Sequence, residues 1–165
     1  MSKRISPRSS LRCIVALAAG VTALSGTSFA ATADVPFTGA ILSICALTVG
    51  IPGVVAPNAT YDELSSANAG GTNGTIAALT TGGGFSITTE APSNFTLAPT
   101  GGGTNVTFES AYSATGVTTI SLSAGDTVTP LNVGLTTVSV RLEATKSTGT
   151  FPAGAYSAEV LVRCE

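Results

Sequence analysis

Residues 136–144 read TTVSVRLEA. Val138, Val140, Leu142 and Ala144 fall on one parity, and Thr137, Ser139, Arg141 and Glu143 on the other. Apolar residues at period two, many of them β-branched, predict a strand with one buried face. The same pattern recurs on both sides of it. In AYSAEVLVRC (155–164), Tyr156, Ala158, Val160, Val162 and Cys164 share a face. NVTFESAY (105–112) puts Val106, Phe108 and Tyr112 together, opposite Glu109. GFSITTE (84–90) offers Phe85 and Ile87, and VTTISLS (117–123) offers Thr118, Ile120 and Leu122.

Turn chemistry separates these runs: PGVVAPN, AGGTNGT, TGGGF, PTGGGTN, SAGD and STGTFPAGA. Gly supplies positive φ and Pro fixes the entry angle. No run of helical length shows a 3.6-residue period with caps. TYDELSSANAG (60–70) is the one place for a helical turn, with Thr60 as N-cap and Glu63 closing a capping box. About seven or eight short strands with a turn every 8–12 residues predict an all-β antiparallel β-sandwich. A parallel β-solenoid would need a fixed-period repeat, and none is visible.

The chain starts with a different composition. Lys3, Arg4, Arg8 and Arg12 precede the apolar CIVALAAGVTAL, and small-x-small sites follow at Ser28–Ala30 and Ala31–Ala33. This order predicts a secretory signal peptide over residues 1–33, cut after Ala30 or Ala33. Residues 34–165 are then the mature domain. They hold three cations, Arg141, Lys146 and Arg163, against nine carboxylates, a net charge of −6. That balance does not suit nucleic acid or an anionic bilayer, both of which select clustered Lys and Arg. No later segment has the length and apolarity of a membrane span. The expected location is periplasmic, cell-surface or extracellular.

Cys45 and Cys164 are the mature cysteines. In an exported chain they predict one disulfide, joining the first and last core-facing runs. Two thiolates in a chain without histidine make a poor zinc site. The lack of histidine also removes Ser-His-Asp and Cys-His catalysis. No serine sits in a G-x-S-x-G elbow, no D-x-D-x-D-G calcium loop occurs, and the glycine runs lack the lysine and helix of a phosphate loop. The expectation is a non-enzymatic protein with no cofactor, no catalytic residue and no metal site. Asn58, Asn73, Asn94 and Asn105 each stand in an N-x-T triplet, open to glycosylation if the source uses it.

The mature chain opens on DVPFTGAILSICALTV (34–49), where Val35, Phe37, Gly39 and Ile41 lie on one parity and lead to Cys45. VPFTGAILSIC resembles the start of chaperone–usher fimbrial subunits, an alternating V-x-F-x-G-x-[IV] run reaching a cysteine. TFPAGAYSAEVLVRCE (150–165) is similar to the last strand of those subunits and of the spore coat protein U family, and LNVGLTTVSVRLEATKSTG (131–149) to the penultimate fimbrial strand. The resemblance implies an Ig-like sandwich lacking one strand, completed by an N-terminal extension from the next subunit, a case of strand addition to a sheet edge. It makes residues 34–42 a candidate donor strand, with Val35, Phe37 and Ile41 in pockets and Gly39 where the groove is tight. Implied partners are a further copy or a related subunit, with a periplasmic chaperone as escort. Here the second cysteine is the penultimate residue, whereas in those families its counterpart lies earlier. The extension is also short, so residues 34–42 read either as the domain's own first strand or as a strand lent to a neighbour.

A second reading is a self-contained monomeric sandwich that binds a ligand such as carbohydrate. Against it, Trp is absent, and Tyr and Phe lie mostly on core parity. Tyr61 and Phe151 are the aromatics that fall in loops.

Overall fold

A computed structural model describes residues 30–165. The charged and apolar segments read as a signal peptide lie outside the described residues. Residues 30–38 belong to a separate unit from the body, Gly39–Glu165. They carry no regular secondary structure.

The body is all-β, with no helix among the described residues. Its strands are β1 (Cys45–Val49), β2 (Ala56–Pro57), β3 (Glu63–Ser65), β4 (Gly74–Thr80), β5 (Ser86–Glu90), β6 (Val106–Gly116), β7 (Ile120–Ala124), β8 (Thr129–Pro130), β9 (Gly134–Lys146) and β10 (Leu161–Cys164). All pairings are antiparallel, which rules out a parallel solenoid. The stretch at 136–144 is the middle of β9, the spine of a seven-stranded sheet. One edge of β9 pairs β4 over residues 134–140 and β3 over residues 143–145; the other pairs β6 along its whole length. β1 closes one side on β4, β2 lies on β3, and β7 lies on β6. The second sheet has three strands, in the order β10-β5-β8.

The period-two reading of β9 matches its packing: Val138, Val140 and Ala144 are buried. Two core clusters result. One holds Ala78, Ile87, Tyr112, Ala114, Ile120, Leu131, Val138 and Val140. The other holds Leu64, Ala144 and Phe151, with Phe95, Phe108 and Tyr156 against them. Phe95 meets Phe108, Phe151 and Tyr156 edge-on, with centroids 4.7, 6.1 and 5.1 Å apart. Edge-to-face contact is the arrangement aromatic quadrupoles favour.

Three expectations change, and one alternative left open is closed. Leu122 points outward rather than sharing a face with Ile120. Ser123 lies opposite Tyr112 and Ile120 opposite Ala114, so β7 holds one residue more than β6 between those pairs. Such a bulge reverses parity. Phe151, read as a loop aromatic, is buried in the second cluster. In 155–164, only Leu161–Cys164 forms a strand. The helical turn at 60–70 is absent, and Glu63 begins β3. Asn58 takes the place of the capping Thr60: its Oδ1 accepts from the Asp62 and Glu63 amides at 3.2 and 3.4 Å. Asx side chains bonding the backbone just ahead favour a turn over a helix. Thr60 Oγ1 and Asn58 Nδ2 both donate to Asp62 Oδ1, which holds that carboxyl below its ordinary range.

The body has few ion pairs, yet one cation is buried. Lys146 Nζ donates to the carbonyls of Gly101 and Thr104 at 2.9 and 2.7 Å and stands over the Phe151 ring. It ties the glycine-rich 99–105 loop to the end of β9. Lys146→Met keeps the stem and leaves two carbonyls without a donor, so it is expected to lower stability by about 1–3 kcal/mol. Urea unfolding measures this; an unchanged midpoint would mean water serves those carbonyls equally well.

Candidate functional site

The inward parity of β1 runs through Cys45 and Leu47 to Val49. Leu47 lies opposite the fully buried Ala78, and Val49 opposite Ile76. These positions face the side of the sheet that carries the core, yet Leu47 is 37 % exposed and Val49 72 %. Ile51, two residues further, is 66 % exposed. Past β1 the chain stays on β4: Gly50 N donates to Thr75 O, and Thr75 N to Ile51 O, each at 2.8 Å.

Across from this wall runs the segment leading into β10. Ser157 exchanges backbone hydrogen bonds with Leu97 at 2.9 and 3.3 Å. Ala158–Val160 then belong to no strand, and β10 pairs only β5. β1 likewise pairs only β4. Two strand edges therefore face one another with no other strand between them among the described residues. The space is a cleft of about 750 Å³, floored by Ile76, Val140 and Leu142 and walled by Val49, Ile51, Val160 and Val162. Residues of both core clusters border it, Val140 and Val162 from the first and Phe95 and Tyr156 from the second. Tyr156 donates its hydroxyl to Pro152 O at 2.7 Å, and burial raises its pKa. The cleft is thus apolar, with unpaired backbone along its rims.

At one end the cleft is pinned. Cys45 and Cys164 are joined by a disulfide with a Cα–Cα distance of 6.3 Å, linking an edge of each sheet. A disulfide agrees with an oxidising environment.

The candidate donor residues lie ahead of β1. Residues 34–42 form no strand, so they are not the first strand of their own domain. Phe37 is 93 % exposed and Ile41 91 %, Val35 is exposed too, and nothing crowds Gly39. Closer to β1 the chain is held. Thr81 N donates to Ile44 O at 2.9 Å and Thr81 Oγ1 to Leu42 O at 3.3 Å. Ser43 sits so close to Gly82 that a Cβ there would collide with it. Residues 42–44 thus prolong β1 past its cysteine end, whereas the cleft opens at the other end. Turning back would break these bonds in a Leu-Ser-Ile stretch without hairpin residues.

A second cleft, of about 620 Å³, lies near Glu90, Glu109, Asp126 and Arg163. Arg163 bonds Glu90 at 2.9 Å, which raises the guanidinium pKa. No cluster of three or more His, Cys, Asp or Glu fit for a metal occurs among the described residues. Of the triplet asparagines, Asn73 is engaged with Ser66 and Ser139, and Asn105 with Thr148. Asn58 is bonded to Asp62, while Asn94 is exposed.

No family model, curated protein or solved structure matches this chain. The resemblance implied a groove, but the residues that line the open cleft were not named from the sequence. Its signal was inward-parity Leu47, Val49 and Ile51 next to a last strand that ends the chain's alternation.

Proposed function

We propose that this protein is an exported, non-enzymatic structural subunit with an incomplete Ig-like sandwich. Residues 34–42 of one copy complete the sheet edge of the next. The observation that carries the reading is the apolar cleft between the free edges of β1 and β10, where inward-facing Val49 and Ile51 stay exposed. One inserted strand would pair both edges and cover those side chains, and each aliphatic side chain so buried contributes about 1.5–3 kcal/mol. Free edges are normally blunted by charge, proline or a covering loop. These are flanked by apolar residues, and the chain carries an unpaired alternating apolar segment of matching character. The signal-like N-terminus and the disulfide support export, where a periplasmic chaperone would shield the open cleft before assembly.

A monomeric carbohydrate binder has less support. Phe95 and Tyr156 border the cleft, but each is packed edge-on against the other and against Phe108 or Phe151.

Strand exchange leaves SDS-resistant ladders in unboiled samples of the secreted protein. Deleting residues 34–42 is expected to reduce the ladder to a single monomer band while the monomer stays folded. Ladders that persist after the deletion defeat the reading, as does a wild-type protein that is monomeric at every concentration.

A further inference from the structure

The two strands that flank the cleft are also the two strands that the disulfide joins, and this gives the cleft a closed end. Adjacent strands lie about 4.8 Å apart, so a strand inserted between two others needs them about 9.6 Å apart. At Cys45 and Cys164 the Cα atoms are 6.3 Å apart. No third strand passes between them there. The residues lining the cleft begin at Val49 and Val162 and include neither cysteine.

We propose that the Cys45–Cys164 disulfide is an end-stop that fixes both the direction and the depth of the inserted strand of a second copy, a proposal that rests on the strand-exchange reading above. The direction follows from the chain that trails the insert. Only Leu42, Ser43 and Ile44 separate Ile41 from the folded body at Cys45. Fully extended they reach about 10 Å. The body cannot pass the bridge, so Ile41 sits at the open end and Val35 leads toward the disulfide. This direction runs antiparallel to β10 and parallel to β1.

Depth follows from the rise of a strand. Val35 to Ile41 spans about 20 Å at 3.3 Å per residue. With Val35 stopped just short of the bridge, it stands beside Val162, the lining residue nearest the disulfide, at the level of Leu47. Phe37 then falls between Val49 and Val160, the most exposed part of the wall. Gly39 falls between Ile51 and Ala158, and Ile41 between Gly53 and Tyr156. Each apolar residue of the extension thereby meets an inward-facing residue of the acceptor on at least one side.

The test is photo-crosslinking in the full-length assembled protein, with p-benzoylphenylalanine placed at Val35 in one variant and at Ile41 in another. Mixing isotope-labelled and unlabelled chains marks the adducts that join two copies. The expected adducts are from position 35 to Leu47 or Val162, and from position 41 to the Gly53–Val54 or Tyr156 region. The reverse assignment overturns the end-stop and leaves strand exchange standing, as do adducts from position 35 beyond the bridge, at Ile44 or Thr81. An absence of inter-copy adducts at both positions, in a protein that forms no ladder, overturns strand exchange itself.

Discussion

Replacing Cys45 and Cys164 together by alanine is expected to lower the unfolding free energy by about 4–5 kcal/mol. The two residues are 119 apart, so the bridge closes almost the whole body into one loop. In the chain-entropy account, a loop of this size restricts the unfolded ensemble strongly. The native side adds little to replace it. β1 bonds only to β4 and β10 only to β5, so no strand ladder spans the two edges that the bridge ties together. Against a typical total of roughly 5–15 kcal/mol, the loss is a large share of the stability of an unassembled chain. Guanidinium unfolding of the wild type and the double variant measures it, with the slope checked for a change in the unfolded state. A loss under about 1.5 kcal/mol would show that the loop contributes far less than its length implies.

The same experiment bears on assembly. An inserted strand bonded to both β1 and β10 would do non-covalently what the bridge does covalently. Assembled material without the disulfide should therefore resist denaturant better than the variant monomer.

How far the sequence displayed this fold depended on which contacts set each element. β9, β6 and β5 were legible because their partners on both sides impose a strict period of two. Val138, Val140 and Ala144 show it directly. Leu122 was misread because one extra residue in β7 reverses parity, and a bulge leaves no mark in an alternating pattern. Residues 155–160 alternate just as well as β9 does. They form no strand because no described strand lies alongside them, only the Ser157–Leu97 bridge being made. Alternation reports a face that is to be covered; it does not report which molecule covers it. That is why the candidate donor residues could be named while the residues lining the cleft could not. Val35, Phe37, Gly39 and Ile41 are close in sequence, whereas Val49, Ile76, Val140 and Val160 meet only through long-range pairing.

Tyr112→Ala is expected to destabilise the body by about 3–5 kcal/mol, close to unfolding it, because an aromatic side chain is lost from a packed site. Tyr112 is fully buried and belongs to the first core cluster, between the two sheets. It projects from β6 in the large sheet, and its hydroxyl reaches the small one. The hydroxyl points at the carbonyls of Ile87 and Thr127 and meets Thr129 Oγ1 at 2.7 Å. Those partners lie on β5, on β8 and just before β8, so one phenol binds two strands of the three-stranded sheet to β6 of the other. Tyr112→Phe separates the two contributions. It keeps the ring and removes the hydroxyl, leaving buried acceptors short of a donor, for an expected loss of about 1–3 kcal/mol. If the phenylalanine variant were as stable as the wild type, the sheets would be held by packing alone. A loss equal to that of the alanine variant would place the whole effect in the hydroxyl. The intermediate value is expected because the ring packs in the same core cluster as Ile87 and Val138 whichever group it carries. Thermal unfolding of both variants in the monomer, with residues 34–42 deleted to prevent assembly, reads the difference without a contribution from neighbouring copies.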